Sequence, residues 1–461
     1  MLLRDSIIAM MALFAAFSCQ SKDTQLETAL GSAGENRPTM EAVLKHYRTQ
    51  DPVPEKFEAA LFLIKNMPAH YSYMGDSIYL YYDYAQHILS NDTLTPESQR
   101  DSLLMVTKRV YSHLPERTVP DTRVISKDYL IHNIDLSYDQ WKNCPWASQL
   151  TFDEYLEWLL PYKAVDLQEL DYWRDTLSLC YGDGMRNPVV NDVEYNTTTG
   201  VADMIRNEVL GKINRHGLYT ESGLPLLSAS LLHRQTFGHI PDYALLAALS
   251  FRSMGVPVVI DETPVGARDE AATRWFVILS DRGKEVTSEW DLATQIGWSF
   301  FPYERGPKVF RQTYAIDERR LDYIKNAKYV YPFDITVKDV TDKYFLSSHV
   351  SVTIEKHNRS KLKDRYVYIA SAIRSTQDHI APSAGPEPDG WKIVDFCKLK
   401  GSKAVFRNMG REVMYIVLGY DGVALIPISD PFILKKDGTT QYVSADTVFS
   451  PYLNKWCNKP I

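Results

Sequence analysis

The chain has 461 residues, with 51 Lys and Arg, 58 Asp and Glu, and a formal net charge of −7. No basic run stands out in this mildly acidic sequence, which argues against proteins that bind nucleic acid through dense positive charge. A chain of this length is large enough to build cores of ordinary size, and we expect more than one domain.

Residues 1–18 have the pattern of a secretory signal, because Arg4 is followed by an apolar run that is too short to span a bilayer. The sequence Ala16-Phe17-Ser18-Cys19 resembles the cleavage motif of bacterial lipoproteins, so we expect Cys19 to carry lipid. Residues 19–38 are polar and predict a flexible tether. The alternative is a soluble exported protein in which Cys19 has no such role.

Residues 39–180 have helical patterning. The run from Glu55 to Asn66 carries apolar side chains at the i, i+3, i+4 and i+7 spacing of an amphipathic helix. Thr151 and Glu154 have the spacing of a capping box, which predicts that another helix begins there. This part of the chain is therefore expected to be a helical region.

From residue 331 the pattern changes to the alternation of β-strands separated by polar turns, which predicts an antiparallel β-sandwich over residues 331–461. Trp391 follows a loop at 378–390 that contains three prolines. Loops at the ends of sandwiches commonly bind ligands, so Trp391 is a candidate aromatic platform. A core position in a strand is an equally good interpretation of this tryptophan.

The strongest signal for function is the segment Phe237-Gly238-His239-Ile240-Pro241-Asp242-Tyr243-Ala244, followed by Phe251-Arg252-Ser253-Met254-Gly255-Val256-Pro257. Pro241 and Asp242 suit the first turn of a helix, and Gly255 suits its end. Together these runs resemble the nucleophile segment of transglutaminase-like domains, which have a papain-like α+β fold. The resemblance implies a cysteine at the position of Ile240. Isoleucine has neither a lone pair nor an ionisable proton, so it cannot attack a carbonyl.

The same resemblance implies a histidine base on a later strand. That strand corresponds here to residues 271–279, where Trp275 matches a tryptophan of the family and Thr273 stands at the histidine position. A threonine is not a useful base near neutral pH. Glu289 or Asp291 would hold the third position of the triad. The sequence thus predicts a degenerate catalytic site at Ile240, Thr273 and Glu289.

Neighbouring residues offer a different route to activity. His239 and Asp242 flank Ile240, and with Trp275 and Trp290 they are the candidate residues of the cleft. A hydrolase, amidase or transglutaminase-related enzyme without the cysteine would need His239 together with Asp242 or Glu289. The sequence has no zinc motif, phosphate-binding loop or nucleophile elbow, so we expect neither a metal nor a cofactor.

Longer strings resemble the transglutaminase-like lipoproteins of Bacteroidota; they lie at residues 60–73, 130–135, 159–163 and 172–174. This resemblance implies a helical region at 39–180 that leads into a transglutaminase-like core at 181–330. It also implies anchoring to the outer membrane, facing the periplasm or the cell surface. Asn66 to Tyr71 would either end a helix against the next domain or form the rim of a site.

The expected architecture is therefore a multidomain α+β protein with a helical region, a papain-like core and a C-terminal sandwich. The favoured function is non-catalytic binding of a peptide or a glycan in the cell envelope. Two alternatives are an enzyme with relocated catalytic residues and a carbohydrate-binding lipoprotein of glycan uptake that uses its sandwich. No nucleic-acid partner is expected.

Four cysteines follow Cys19, namely Cys144, Cys180, Cys397 and Cys457. Disulfides are permitted in the envelope, but the spacing does not select pairs. Buried free thiols are an equally good expectation for a chain with full-sized cores.

Overall fold

The computed structural model describes residues 24–111, 117–181, 189–190, 193–194, 197–213, 218–219, 226–235, 237–265, 273–280, 283–287, 305–372 and 390–443. Over these residues helices dominate the first half of the chain and antiparallel sheets dominate the second half. This confirms the expected α+β class.

Helices before the main core are α1 (Thr24–Ser32), α2 (Arg37–Thr49), α3 (Pro54–Asn66), α4 (Asp76–Leu89), α5 (Pro96–Tyr111), α6 (Lys127–Asn143), α7 (Phe152–Trp158) and α8 (Trp173–Tyr181). The antiparallel strand pair β1 (Tyr71–Met74) and β2 (Arg117–Pro120) lies among them. The capping box of α7 is present, since Thr151 Oγ1 accepts a hydrogen bond from Glu154 N and the Glu154 carboxylate accepts one from Thr151 N. The helical region is confirmed, and its apolar faces form a continuous core.

The predicted tether at 19–38 is wrong over its second part. Residues 24–32 form α1, a second helix starts at Arg37, and Ala29 and Leu30 are buried against the helical core. Polar composition suggested a tether because only a few apolar residues are present. Those few suffice, because they pack on α3 and need not form a core of their own.

Short elements lead into the middle of the chain. They are β3 (Val189–Val190), β4 (Val193–Glu194), α9 (Thr198–Ile213), β5 (Leu218–Tyr219), α10 (Ala229–Leu232) and β6 (Gly238–His239). The central helix α11 (Ile240–Ser253) follows. It packs on a five-stranded antiparallel sheet of order β11-β10-β7-β8-β9. The strands are β7 (Val258–Thr263), β8 (Thr273–Leu279), β9 (Glu285–Thr287), β10 (Phe310–Gln312) and β11 (Val337–Asp339).

The C-terminal part has a six-stranded antiparallel sheet and a two-stranded sheet. Its elements are α12 (Glu318–Asn326), β12 (Ser347–Thr353), α13 (Lys356–Lys361), β13 (Tyr366–Ala372), β14 (Trp391–Lys398), β15 (Lys403–Gly410), β16 (Val413–Tyr420), β17 (Leu425–Pro427), β18 (Phe432–Leu434) and β19 (Thr440–Tyr442). One apolar cluster joins the β12–β15 pair to the larger sheet, and a second cluster joins that sheet to α12. The β-rich region is confirmed and is compatible with a sandwich.

Trp391 does not form a platform. Its side chain is 6% exposed and belongs to the apolar cluster between the larger sheet and α12. The ligand-platform hypothesis is therefore wrong, and the alternative of a core strand residue is confirmed. The same cluster contains Tyr323 of α12 and Tyr331 of the segment that follows it, so this face of the sheet is covered.

Among the described cysteines, Cys144, Cys180 and Cys397 are free thiols. Burial raises the pKa of Cys144 to about 11 and that of Cys397 to about 12, so neither is a ready nucleophile near neutral pH. Cys457 lies outside the described residues, as do Cys19 and the signal at 1–18.

Candidate functional site

Helix α11 begins at Ile240, the position at which the resemblance implies a nucleophile. The helix ends as predicted: Gly255 has a φ of +78°, its N–H donates to Arg252 O at 3.2 Å, and Val256 N donates to Phe251 O at 2.9 Å. This pair of hydrogen bonds is a Schellman ending. A Cβ at position 255 would also lie 2.9 Å from Cys144 Sγ, so glycine is required there for space as well.

The topology brings Ile240 and Thr273 to the same end of the helix–sheet layer. The chain turns back after α11, so β7 runs opposite to the helix and β8 runs along it. The 14 residues of the helix and the six of β7 span nearly equal lengths, about 20 Å each. Thr273 pairs with Thr263, the last residue of β7. The start of α11 therefore lies at the level of Thr273.

The other predicted site residues are only partly brought together. Asp242 lies in the first turn of α11 and is half-buried, and His239 pairs with Tyr219 in the short β5–β6 ladder. Glu289, Trp290 and Asp291 lie outside the described residues.

Trp275 is not a cleft residue. It is 6% exposed, and its neighbour Phe276 points at α11, where its ring lies 4.9 Å from that of Phe251. Adjacent strand residues point to opposite faces, so Trp275 lies on the face away from the helix. Its indole Nε1 donates to Tyr344 Oη at 3.0 Å.

This second face of the sheet carries a buried ionic cluster. Arg311 on β10 binds both carboxylate oxygens of Asp261 at 2.8 Å and those of Glu285 at 2.8 and 2.9 Å. Tyr344 Oη also donates to Asp261, at 2.7 Å. Burial alone would raise the pKa of Glu285, but hydrogen bonds and charge from Arg311 and Lys343 lower it to about 2. The cluster ties β10 to β7 and β9 across the sheet.

A small cleft with a volume of about 20 Å³, room for about one water molecule, opens at the other end of α11, next to Arg252. It is lined by His70, Pro161, Lys163, Ala164, Val165, Asp166, Arg252, Gln312, Thr313, Tyr314 and Thr336. Of these positions only His70 had been considered, as part of the segment from Asn66 to Tyr71 that could form the rim of a site; the others were not predicted site residues. The only sequence signal was the resemblance of the strings that contain His70 and Lys163 to lipoprotein sequences.

His70 and Tyr314 form one wall of the cleft. Their rings stack at 4.2 Å, and His70 Nε2 lies 2.9 Å from Tyr314 O, so this nitrogen donates to the carbonyl. His70 Nδ1 faces Asp166 Oδ1 at 3.8 Å. Burial raises the pKa of Asp166, but contacts with His70 and with Tyr71 N outweigh it and leave the pKa below its usual value. Asp166 is therefore ionised at neutral pH.

Lys163 is buried and fully occupied. Its Nζ lies 2.5 Å from Asp121 Oδ2, 2.9 Å from Tyr71 O and 3.3 Å from Ser72 Oγ. Tyr162 Oη donates to the same Asp121 carboxylate at 2.9 Å. A buried ion pair with its remaining acceptors satisfied fixes local geometry, but it leaves no free amine for chemistry.

The hydroxyl groups of the cleft are also engaged elsewhere. Thr313 Oγ1 donates to Ala315 O at 2.9 Å, and Thr336 Oγ1 donates to Asp334 Oδ1 at 2.8 Å. His70 thus has no activated hydroxyl or thiol partner among the residues that line this cleft. The residues that line this cleft therefore do not form a nucleophile–base arrangement.

Two buried arginines, Arg252 and Arg174, position the backbone next to the cleft. Arg252 donates to Trp158 O at 3.1 Å, Lys163 O at 2.9 Å and Val258 O at 3.1 Å. Arg174 donates to Leu159 O at 2.6 Å, Pro161 O at 3.1 Å and Arg252 O at 3.0 Å. Through these bonds the two arginines hold the loop at 159–163 against the end of α11.

The structure bears on the first interpretation of Asn66 to Tyr71, a helix end that packs on another part of the chain, whereas the rim of a site stays a prediction. Asn66 Oδ1 accepts from Ile316 N at 3.0 Å, so the end of α3 packs on the segment that follows β10. His70, four residues later, lines the cleft. The segment is therefore a helix end and a cleft wall together.

One group of side chains has the spacing of metal ligands. His46, Asp51 and Asp135 place ligand atoms within 4.8 Å of one another. Lys56 Nζ lies 2.6 Å from Asp51 Oδ2 and 3.0 Å from Asp135 Oδ1, so an ammonium group already occupies the position between the carboxylates. The group is an ion-pair cluster on the helical region.

No known protein family, curated protein or solved structure matches this chain. Among the described residues, no helix has both the length and the apolar character needed to cross a bilayer.

Proposed function

We propose that the protein is a lipid-anchored envelope protein whose transglutaminase-like core has lost its chemistry and binds a peptide or a glycan. One observation carries the proposal: Ile240 begins α11, and Thr273 begins β8 at the same end of the layer. A thiol at a helix start and an imidazole on the adjacent strand would form a catalytic pair there. Isoleucine and threonine can perform neither role.

The cleft beside Arg252 does not offer a relocated active site. Its histidine lacks an activated nucleophile, its lysine is held by Asp121, and its two threonine hydroxyls donate to other acceptors. A relocated enzyme would need His239 with Asp242 or Glu289.

The test compares the mature protein with the double variant Ile240→Cys/Thr273→His. Both proteins are incubated with an amine donor and a library of peptides and cell-wall fragments, and turnover is followed by mass spectrometry. We expect no turnover by the wild type and measurable turnover by the double variant. The single variant Ile240→Cys is the matched control, since a thiol without its base should be far less active.

Turnover by the wild type would overturn the proposal and redirect the search to His239 and Asp242. If the double variant is inactive as well, equilibrium binding of the same library to the wild type decides the matter. The proposal requires a saturable ligand in that library that competes at a single site.

A further inference from the structure

We infer that the surface around the start of α1 is held against the headgroups of the membrane, because the linker between Cys19 and α1 is only a few residues long. The inference rests on the proposed lipid anchor at Cys19. It adds the face of the protein that meets the bilayer, which the anchor alone does not specify.

The first step concerns the length of chain between lipid and fold. Four residues separate Cys19 from Thr24, where α1 begins. Whatever their conformation, the five steps from Cys19 to Thr24 span at most about 18 Å. A tether that ran to residue 38, as the composition suggested, would have reached about 70 Å when extended.

The second step is that α1 cannot lengthen the linker by detaching from the core. Ala29 and Leu30 are 1% and 4% exposed and pack in the main core. The end of the helix is also held, because Ser32 Oγ lies 3.4 Å from Thr122 Oγ1 and Arg123 donates to Ser32 O at 3.4 Å. Just beyond it, Asn36 Nδ2 donates to Thr122 O and Ile125 O, both at 2.9 Å. Peeling α1 away would expose apolar surface and break these contacts.

The third step compares the reach of the linker with the size of the protein. A compact chain of this length has a radius of gyration of roughly 23 Å, which exceeds the reach of about 18 Å. If the linker to the lipid is shorter than the radius of the protein, the protein cannot turn its far side to the membrane. The surface that carries Thr24, Gln25 and Thr28, all exposed, therefore stays next to the headgroups.

Charge does not produce this contact. Beside this surface Arg37 pairs with Glu27 at 3.3 Å and with Glu41 at 2.7 Å, which offsets its charge, and the exposed Arg123, which donates to Ser32 O, is a single cation rather than a basic patch. The proximity should therefore be insensitive to salt and to anionic lipid. It should depend only on the number of residues between Cys19 and α1.

The test uses the full lipidated protein in phosphatidylcholine vesicles that contain a small fraction of acceptor-labelled lipid. An azide-bearing residue replaces Thr28 in one protein and Val423, which is 90% exposed on the β16–β17 turn, in another. Each is labelled with a donor dye, and energy transfer to the lipid is measured. The matched control carries twenty Gly and Ser residues inserted between Asp23 and Thr24.

We expect strong transfer from position 28 and a loss of at least about half of it on insertion, because transfer to a plane of acceptors falls steeply with height. Anionic lipid and added salt should leave the value for position 28 unchanged. Flotation of the vesicles, with Cys19→Ala as reference, reports the anchor separately. If the native chain does not float with the vesicles, the lipid anchor is refuted. If it floats but energy transfer is the same before and after the insertion, the short linker is refuted.

Discussion

Two buried arginines of the core, Arg252 at the end of α11 and Arg311 on β10, are held by different kinds of partner. Arg252 donates to main-chain carbonyls, and burial lowers its pKa to about 9. Arg311 donates to the carboxylates of Asp261 and Glu285, which raise its pKa against the effect of burial. Neutral partners fix the path of a loop and do not titrate, whereas charged partners tie strands together and respond to acid.

The largest effect is expected from Arg252→Met. The change leaves three buried carbonyls without a donor, at a cost of about 1–3 kcal/mol each, so we expect a loss of about 4 kcal/mol in unfolding free energy. Urea unfolding of the mature protein at pH 7 measures it. Arg274→Met is the control, because Arg274 is 38% exposed in its pair with Glu262 and should cost less than about 1 kcal/mol. Equal losses in the two variants would contradict the structural role of Arg252.

Arg311→Met should cost about 3 kcal/mol at pH 7, because Asp261 would become a buried charge without its partner. Unlike the loss at Arg252, this loss should shrink at pH 5, since the pKa of Glu285 rises once Arg311 is gone and burial is less opposed. Urea unfolding of both variants at the two pH values checks the difference. The same pH dependence in both variants would remove the distinction between the two arginines.

Glu285→Gln separates the charge of the cluster from its shape. The folded pKa of Glu285, about 2, lies below its ordinary value of 4.5. Its contribution is therefore present above pH 4.5 and is lost as the pH falls toward 2. Since the side chain is one-quarter exposed, we expect a loss of about 2 kcal/mol at pH 7 that diminishes toward pH 3. A loss that is constant with pH would show that only packing is affected.

Local signals in the sequence predicted much of this fold. The capping box at Thr151, the glycine ending at Gly255 and the alternation of the C-terminal strands depend on neighbours within a few residues, and each is present. Such features are fixed by backbone hydrogen bonds and side-chain periodicity, so they can be recognised in a single sequence.

What the sequence did not reveal depends on distant partners. Two of the three carbonyls that hold Arg252, those of Trp158 and Lys163, belong to residues about 90 positions earlier in the chain. Trp391 is buried in a cluster with Tyr323 of α12 and Tyr331, which also lie far earlier in the chain. Alternation shows that a strand has two faces, but not that both are covered. The cleft beside Arg252 is likewise made from five separated stretches, each of which has the pattern of ordinary structure when taken alone.

Glu169 contrasts with both arginines. It is a half-buried carboxylate, and the charge that acts on it is that of another carboxylate, Asp171. Burial first, and then the charge of Asp171, raise its pKa to about 7, although a hydrogen bond from Ser228 opposes them. Asp171 is itself held by Ser230 N at 2.7 Å, at the start of α10. The fold therefore favours the protonated form of Glu169, so its contribution to stability is present below pH 4.5 and is lost as the pH rises through about 7.

Glu169→Gln keeps an acceptor for Ser228 and removes the charge. The variant should match the wild type at pH 5 and be more stable by about 1 kcal/mol at pH 8, the smallest effect of the four. Thermal unfolding across this pH range measures the difference, and the exposed Glu58→Gln is the control that should not change with pH. A variant less stable than the wild type at pH 8 would mean that the carboxylate is stabilised by its surroundings. In that case the segment from Glu169 to Asp171 would resemble the Arg311 cluster, in which charge holds the structure together.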